Sequence, residues 1–152
     1  MSKTVIVTGG SRGIGAAIVS LLAKENYNIV LNYNKSEEIA KKMQEEFTNL
    51  GKTVEIFKAD VSKREEVKKL VDFTIKKFGK IDVLINNAGI SQTKLFTDIT
   101  DEDWNNMLNI NLNSVFYASQ EVAKHMIHEK EGCIINISSI WGMCRCILWS
   151  TL

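Results

Sequence analysis

The stretch Thr8-Gly-Gly-Ser-Arg-Gly-Ile-Gly15 lies between an apolar run, Thr4–Val7, and an alanine- and leucine-rich segment, 16–23. The apolar run is typical of a buried strand and the later segment of a helix, so the sequence predicts a strand, a glycine turn and a helix. Glycines at such a turn permit a tight bend and let a phosphate group approach bare backbone, while free N–H groups at the start of the helix favour an anion. The stretch therefore predicts a dinucleotide-binding unit, with a plain strand-to-helix turn as the alternative.

The alternation of apolar runs and amphipathic segments continues along the chain. Further strands are predicted at 28–33, 53–57, 81–85 and 134–137, with helices between them. Two capping boxes, Ser62-x-x-Glu65 and Thr100-x-x-Asp103, mark the beginnings of a third helix and of a long fourth helix that continues to position 126. Continuous apolar strands separated by helices predict an α/β fold, a Rossmann-type doubly wound parallel sheet with the strand order 3-2-1-4-5.

The composition excludes several kinds of protein. The 152 residues carry a net charge of +1, which implies no attraction to nucleic acid or to a membrane surface. We expect no signal peptide before the first strand, and no apolar run approaches the length of a membrane span. Three cysteines, clustered after position 132, argue against a disulfide framework. We therefore expect a cytoplasmic α/β domain with no metal site and with neither nucleic acid nor membrane as a partner.

Two further polar motifs follow predicted strands. Asn86-Asn-Ala-Gly89 comes directly after the fourth strand, and Asp60-Val61 comes at the end of the third. Open α/β sheets bind ligands at the carboxyl ends of their strands, so Asn86–Gly89 is a candidate for a ligand site. A polar turn is the alternative for the first motif, and a solvated residue before a helix is the alternative for Asp60.

These motifs together resemble the short-chain dehydrogenase/reductase family, over residues 3–143. The glycine spacing is G-x-x-x-G-x-G, and Asn86-Asn-Ala-Gly89 is similar to the family's N-N-A-G motif. The resemblance implies an NADP(H)- or NAD-dependent oxidoreductase that transfers a hydride to a carbonyl group. The cofactor-binding residues that it implies, with the flanking positions at the second strand, are Gly9, Ser11, Arg12, Gly13, Ile14, Gly15, Asn34, Lys35, Asp60, Val61, Asn87, Ala88 and Gly89.

The resemblance also implies two catalytic residues. Asn111, predicted in the middle of a helix, matches the family's catalytic asparagine, and Ser139, directly after the fifth strand, matches its catalytic serine. The serine would bond the substrate carbonyl oxygen while a tyrosine donates the proton. A polar helix face and a strand-end cap are the alternatives, and we assign the cap to Ser138.

The end of the second strand bears on the choice of cofactor. An enzyme that uses NAD usually places an acid there to bind the ribose hydroxyls. Tyr33 stands at that position, and Arg12 and Lys35 are cations that we expect near a 2′-phosphate. We therefore predict NADP(H), with the alternative that Lys35 only begins a solvated helix.

The chain departs from the family pattern in one respect. The family's Tyr-x-x-x-Lys motif is absent, because none of Tyr27, Tyr33 and Tyr117 is followed by lysine four residues later. We expect residues 1–143 to be an incomplete NAD(P)-binding Rossmann domain without the family's last strands and helices. Family members are usually homotetramers, and we expect this chain to be unable to form one.

Three interpretations of the function remain open: an active reductase, a nucleotide-binding module without chemistry, and a non-functional fragment. The missing motif favours the last of these.

We expect the tail, residues 144–152, to be out of frame. One permitted back-translation, with a single base removed after the codon of Met143, encodes a run similar to the family's approach to its catalytic tyrosine. That tyrosine would fall where Leu152 stands, thirteen positions after Ser139.

Within the family, the sequence is most similar to the 3-oxoacyl-[acyl-carrier-protein] reductases of fatty acid synthesis, which act on carrier-bound substrates. Positions 95–100 and 138–142 also resemble the elongation factor P 5-aminopentanone reductases, which are the alternative.

Overall fold

The computed structural model describes residues 2–139 and the backbone of Ser150–Thr151. The predicted domain boundary at 143 and the tail, apart from that short backbone segment, lie outside the described residues. The strands are β1 Thr4–Val7, β2 Asn28–Tyr33, β3 Val54–Lys58, β4 Val83–Asn86, β5 Gln92–Thr93, β6 Cys133–Asn136 and β7 Ser150–Thr151. The helices are α1 Gly13–Lys24, α2 Glu37–Asn49, α3 Arg64–Phe78, α4 Asp101–Leu108 and α5 Ser114–Glu129, with a 3-10 turn at Phe96–Asp98 and a π-helical turn at Asn109–Asn113.

Five parallel strands form the central sheet, in the order β3-β2-β1-β4-β6. This confirms the predicted order, since β6 is the fifth strand that the sequence predicted. A two-residue antiparallel pair, β5 with β7, was not predicted and lies outside this sheet. In the register of the sheet, Val5 of β1 lies opposite Ile29 and Val83. The parallel arrangement brings the carboxyl ends of β1, β2, β3 and β4 to one edge, where the polar motifs follow.

Two apolar clusters cover the two faces of the sheet. Helices α1 and α2 pack on one face, with Val19 and Ala40 buried against β1 and β2. Helices α3 and α5 pack on the other, with Leu70 and Val122 buried there. Strand residues alternate between the clusters, which is the arrangement expected of a doubly wound sheet. In the part of the chain that the structure describes, no helix is both long and apolar enough to span a bilayer.

Strand β6 forms one edge of the described sheet, opposite β3. Ile134 and Ile135 are 37% and 42% exposed, whereas Val5 and Ile6 on central β1 are completely buried. An edge strand with exposed branched side chains is open to pairing with another chain. Binding experiments on this chain are therefore best made with a soluble carrier protein fused to it.

The two predicted capping boxes have different outcomes. Thr100 caps α4 as predicted, because its hydroxyl accepts the Asp103 N–H and the Asp103 carboxylate accepts the Thr100 N–H. The box predicted at Ser62 is wrong, since α3 begins at Arg64. The Ser62 hydroxyl instead donates to Asp60 Oδ1 at 2.6 Å. A charged carboxylate is a strong acceptor, so the hydroxyl is held at Asp60 and does not cap the helix N–H groups.

Thr4 offers a test of the core because its hydroxyl is fully buried and has no hydrogen-bond partner among the described residues. An unpaired buried hydroxyl costs free energy that a methyl group does not. We expect Thr4→Val to raise the free energy of unfolding by about 1 kcal/mol. Thr74→Val is the matched control, because the equally buried Thr74 hydroxyl donates to Leu70 O at 2.8 Å. Denaturant melts should show stabilisation at Thr4 only, and equal effects at both sites would contradict this account.

Candidate functional site

The glycine loop, residues 8–15, joins β1 to α1 in a conformation that needs glycine. Gly9 and Gly13 have φ angles of +62° and +53°, which side chains rarely tolerate. A Cβ atom on Gly15 would lie 2.3 Å from Gly9 O and 2.6 Å from Asn87 Nδ2. The loop is thus folded tightly against both its own backbone and the segment after β4.

Helix α1 begins at this loop without a side-chain cap. Arg12 is its N-cap residue and makes no capping hydrogen bond, and the first turn holds no acidic residue. The first N–H groups of a helix have no partner within the helix and carry the positive end of its dipole. An uncapped start of this kind is suited to an anion, and it opens into the cleft described below.

Thr8 and Asn87 hold the glycine loop against the end of β4. The Thr8 hydroxyl accepts the N–H groups of Asn87 and Ala88 at 2.9 and 3.0 Å. The Asn87 side chain donates to Thr8 O and Gly9 O at 2.9 and 3.1 Å. Thr8 was assigned no role of its own from the sequence. A threonine at the end of a buried strand does not by itself predict a site residue, because the partners that reveal its role lie 79 and 80 residues away in the sequence.

Asp60 begins a second loop at the cleft, after β3. Its Oδ1 accepts the backbone N–H of Ser62 at 3.0 Å in addition to the hydroxyl, and its own N–H donates to Glu66 Oε2 at 2.7 Å. That hydrogen bond from Asp60 is the main reason that the pKa of Glu66 lies below its ordinary value. The loop is therefore fixed from within and from the first turns of α3.

One cleft of about 700 Å³ lies between these loops. It is lined by all thirteen residues predicted to bind the cofactor, together with Asn32, Tyr33, Ser36, Ala59, Ile90 and Ile110. The predicted residues come from four separate segments of the chain, and the fold brings them together at the carboxyl edge of the sheet. Asn32, Ile90 and Ile110 were not assigned to the site from the sequence.

Two cations lie at the rim of the cleft, after β2 and inside the glycine loop. Lys35 and Arg12 are exposed, and neither forms an ion pair within the part of the chain that the structure describes. The nearby Glu37 carboxylate is paired instead with Lys41 at 2.9 Å and Lys58 at 3.4 Å. The hydrogen bond to Lys41 is the main reason that the pKa of Glu37 is lowered. The rim thus offers two positive charges that no acidic residue among the described positions neutralises.

A second cavity, of about 420 Å³, adjoins the cleft and contains both predicted catalytic residues. Asn111 and Ser139 both line it, with Ser138 beside them and Met107, Leu112 and Val115 as apolar lining. Ile14 and residues 87–90 line both spaces. A ligand in the cleft and one in the second cavity would therefore meet at this shared wall.

The Asn111 side chain is held by the backbone of Ile90. Its Oδ1 accepts the Ile90 N–H at 2.8 Å, and its Nδ2 donates to Ile90 O at 2.9 Å and to Met107 Sδ at 3.1 Å. The residue lies in the π-helical turn between α4 and α5, so the predicted long helix is interrupted there. Such turns are common at functional sites because they alter the direction of side chains.

A polar cluster centred on Asp103 fixes the segment that follows this wall. The Asp103 carboxylate accepts hydrogen bonds from Lys94 and from Gln92, the latter at 2.8 Å, in addition to Thr100. Lys94 contributes most to lowering the pKa of Asp103. This carboxylate therefore stays charged at neutral pH and links residues 92–94 to the start of α4.

Comparison with known proteins decides the family. The family model described as short chain dehydrogenase matches residues 3–151. The chain belongs to the short-chain dehydrogenase family. This confirms the resemblance predicted from the glycine loop and the Asn86–Gly89 motif.

Its curated relatives in this family include bacterial reductases. The chain is 39% identical over 142 residues to the 3-oxoacyl-[acyl-carrier-protein] reductase FabG of Staphylococcus epidermidis, and 38% identical to that of Staphylococcus aureus. Both alignments cover 93% of this chain and 58% of the relative. The chain thus spans a little under three-fifths of the length of these relatives.

Solved structures of the family share the fold. The crystal structure of gox2181 superimposes with a TM-score of 0.89 at 32% identity, covering 99% of this chain and 58% of the other. A Serratia marcescens short-chain dehydrogenase/reductase gives a TM-score of 0.87 at 36% identity, covering 94% of this chain and 58% of the other. These scores support the Rossmann-type α/β assignment over nearly the whole chain.

Proposed function

We propose that this short-chain dehydrogenase chain provides the NADP(H)-binding half of a carbonyl reductase. One observation carries the proposal. All thirteen candidate residues line a single cleft at the uncapped start of α1. In the proposed complex the pyrophosphate lies at the N–H groups of Gly13, Ile14 and Gly15, and Asp60 and Val61 hold the adenine end.

The rim cations support NADP(H) over NAD. A 2′-phosphate carries negative charge that Arg12 and Lys35 are free to pair with, and Asn34 beside them can donate hydrogen bonds. NAD-dependent enzymes usually carry an acidic residue at the end of the second strand, where it binds the two ribose hydroxyls. Tyr33 stands at that position here. The positive rim therefore favours the phosphorylated cofactor.

The second cavity is the proposed site of carbonyl reduction. NADPH, when bound, supplies the hydride. Ser139 would donate a hydrogen bond to the substrate carbonyl oxygen, stabilising the charge that develops there. Asn111, fixed by Ile90, would keep the shared wall in place between the cofactor and the substrate.

The substrate class follows from the relatives. The Staphylococcus proteins are named as 3-oxoacyl-[acyl-carrier-protein] reductases, so we propose a carrier-bound 3-oxoacyl group, and a reductase acting in fatty acid synthesis. An elongation factor P 5-aminopentanone reductase is the alternative within the same chemistry. The cytoplasmic location and the lack of a tetramer both stay predictions.

A nucleotide-binding module without catalysis is the second candidate function. The observation that favours it is that residues 1–152 contain no Tyr-x-x-x-Lys sequence. Without a tyrosine acid and its lysine, we propose that this polypeptide by itself binds NADPH and does not reduce a carbonyl. A non-functional fragment with an out-of-frame tail would show neither property.

Reversing the charge at Lys35 tests the cofactor assignment. We expect Lys35→Glu to weaken NADPH binding about tenfold or more and to change NADH binding by less than about threefold, because only NADPH carries the 2′-phosphate. Lys42→Glu is the matched control, since Lys42 is exposed on α2 and does not line the cleft. Fluorescence titration of the unsubstituted chain and both variants with each cofactor measures all six affinities. Equal losses for the two cofactors, or tighter binding of NADH by the unsubstituted chain, would refute the preference.

A further inference from the structure

Asn32 is a buried polar residue at the end of β2, directly beneath the cleft. Only 2% of its surface is exposed, although its neighbours Asn34 and Lys35 are open to solvent. Burying an amide is costly unless its hydrogen bonds are made, so the partners of this side chain explain its presence.

The Asn32 side chain joins the two loops that border the cleft. Its Oδ1 accepts the N–H of Gly9, in the glycine loop, at 3.3 Å. Its Nδ2 donates to Ala59 O at 3.0 Å and to Phe57 O at 3.3 Å, at the point where β3 leads into Asp60. Its backbone carbonyl also accepts the N–H of Gly10 at 2.9 Å. No other described side chain makes hydrogen bonds to both the glycine loop and the end of β3.

The chemistry of these partners requires an amide. One partner is a donor, the Gly9 N–H, and three are carbonyl acceptors, because Nδ2 also lies 3.4 Å from Tyr33 O. Only asparagine or glutamine offers an acceptor and two donors on one planar group. A carboxylate would face the carbonyls of Ala59 and Phe57 with no proton to give. A leucine would leave the Gly9 N–H and both carbonyls without this partner.

We propose that Asn32 is a positioning residue that holds the glycine loop and the Asp60 loop at a fixed separation, so that both ends of one dinucleotide bind together. The inference rests on the proposed function, and it names a residue that contacts the loops and not the reacting atoms. The glycine loop would bind the pyrophosphate, and Asp60 and Val61 the adenine end. When two such subsites are held at the right distance, binding of the second half becomes intramolecular and gains affinity without any new contact.

A purely structural role for Asn32 makes a different prediction. If the residue only stabilised the core, its loss would weaken every ligand by a similar factor. If it sets the separation of the two loops, its loss would weaken the intact dinucleotide far more than either half. The comparison of whole and half ligands therefore distinguishes the two roles.

The experiment uses the full 152-residue chain on a soluble carrier, with Asn32→Leu and the milder Asn32→Ser. Val30→Ala is the matched control, because Val30 is fully buried on the same face of β2 and does not line the cleft. The ligands are NADPH and two parts of it that each meet one loop, titrated by calorimetry. Adenosine would bind at the Asp60 loop, and reduced nicotinamide mononucleotide would bind at the glycine loop through its phosphate. Amide hydrogen exchange at Gly9 is measured on the same variants without ligand.

We expect both Asn32 variants to weaken NADPH about tenfold or more and each half-ligand less than about threefold, with Gly9 exchange about tenfold faster. Val30→Ala should weaken the binding of all three ligands by similar small factors. Its Gly9 amide should exchange faster only to the extent that the loss of global stability accounts for. Equal losses for whole and half ligands, or Asn32 variants that match Val30→Ala, would overturn the inference and leave the proposed function intact. An unsubstituted chain that binds none of the three ligands would overturn both.

Discussion

Gly15→Ala is expected to abolish measurable NADPH binding. The added Cβ would lie 2.3 Å from Gly9 O, 2.6 Å from Asn87 Nδ2 and 3.0 Å from Gly10 Cα. Two of these atoms belong to the backbone of the glycine loop, which cannot move without changing its turn. The loop would have to open, and it would carry the proposed pyrophosphate site away from the start of α1. We expect a loss of about a hundredfold or more in affinity, because several charge-assisted contacts disappear together.

The same substitution gives a clear stability signature. In an ordinary helix, alanine is favoured over glycine by about 1 kcal/mol. Here the steric conflict should outweigh that gain, so Gly15→Ala is expected to destabilise the chain by about 1–3 kcal/mol. Ser20→Ala, on the same helix and away from the cleft, is the control and should bind NADPH normally. A Gly15→Ala chain that is more stable than the original and binds NADPH equally well would disprove the tight packing of the loop.

Joining residues 1–139 to the C-terminal part of the Staphylococcus aureus reductase is expected to produce an active NADPH-dependent enzyme. The added part would supply the tyrosine and lysine that the family resemblance requires and this sequence does not contain. General acid catalysis typically raises a reaction rate about 10²–10⁴-fold. Because the 152-residue sequence lacks the tyrosine acid, we expect this chain to show no activity above background. The assay is oxidation of NADPH with an acetoacetyl thioester, followed by absorbance.

Within that chimera, Ser139→Ala should lower kcat/KM by about 10²–10³-fold, because it would remove the proposed donor to the developing oxyanion. Ser138→Ala is the matched control, since the neighbouring serine lines the same cavity and is assigned no catalytic role. It should retain activity within about threefold. Equal losses at the two serines would mean that the active-site assignment of Ser139 is wrong, and turnover by the unextended chain would contradict the need for the added residues.

The sequence predicted most of this fold because its signals are local. The strand, glycine turn and helix around residues 8–15 form one contiguous pattern, and the apolar runs predicted β1 to β4 and β6 to within two residues at each end. Thr100 and Asp103 are three residues apart, so their reciprocal capping could also be predicted. The order of strands followed from the handedness of parallel connections.

The features that the sequence did not predict depend on contacts between distant residues or on competition between partners. Asn32 and Thr8 were not identified because their partners are distant in the sequence. Those of Asn32 become neighbours only when β2 pairs with β1 and β3, and those of Thr8 only when β1 pairs with β4. The Ser62 cap was mispredicted because Asp60, two residues earlier, binds the same hydroxyl. The π-helical turn at Asn109–Asn113 follows an apolar pattern that also fits a regular helix, so its extra residue per turn could not be predicted.

The most direct test of the central claim is to titrate the purified chain with NADPH while following its backbone amides by NMR. The account predicts one molecule bound per chain, with the largest shifts at Gly13, Ile14 and Gly15 and at Asp60 and Val61. Residues remote from the cleft, such as Ile127 on α5, should be unaffected. No saturable change at the glycine loop, or shifts confined to another surface, would contradict the assignment of this cleft as the cofactor site.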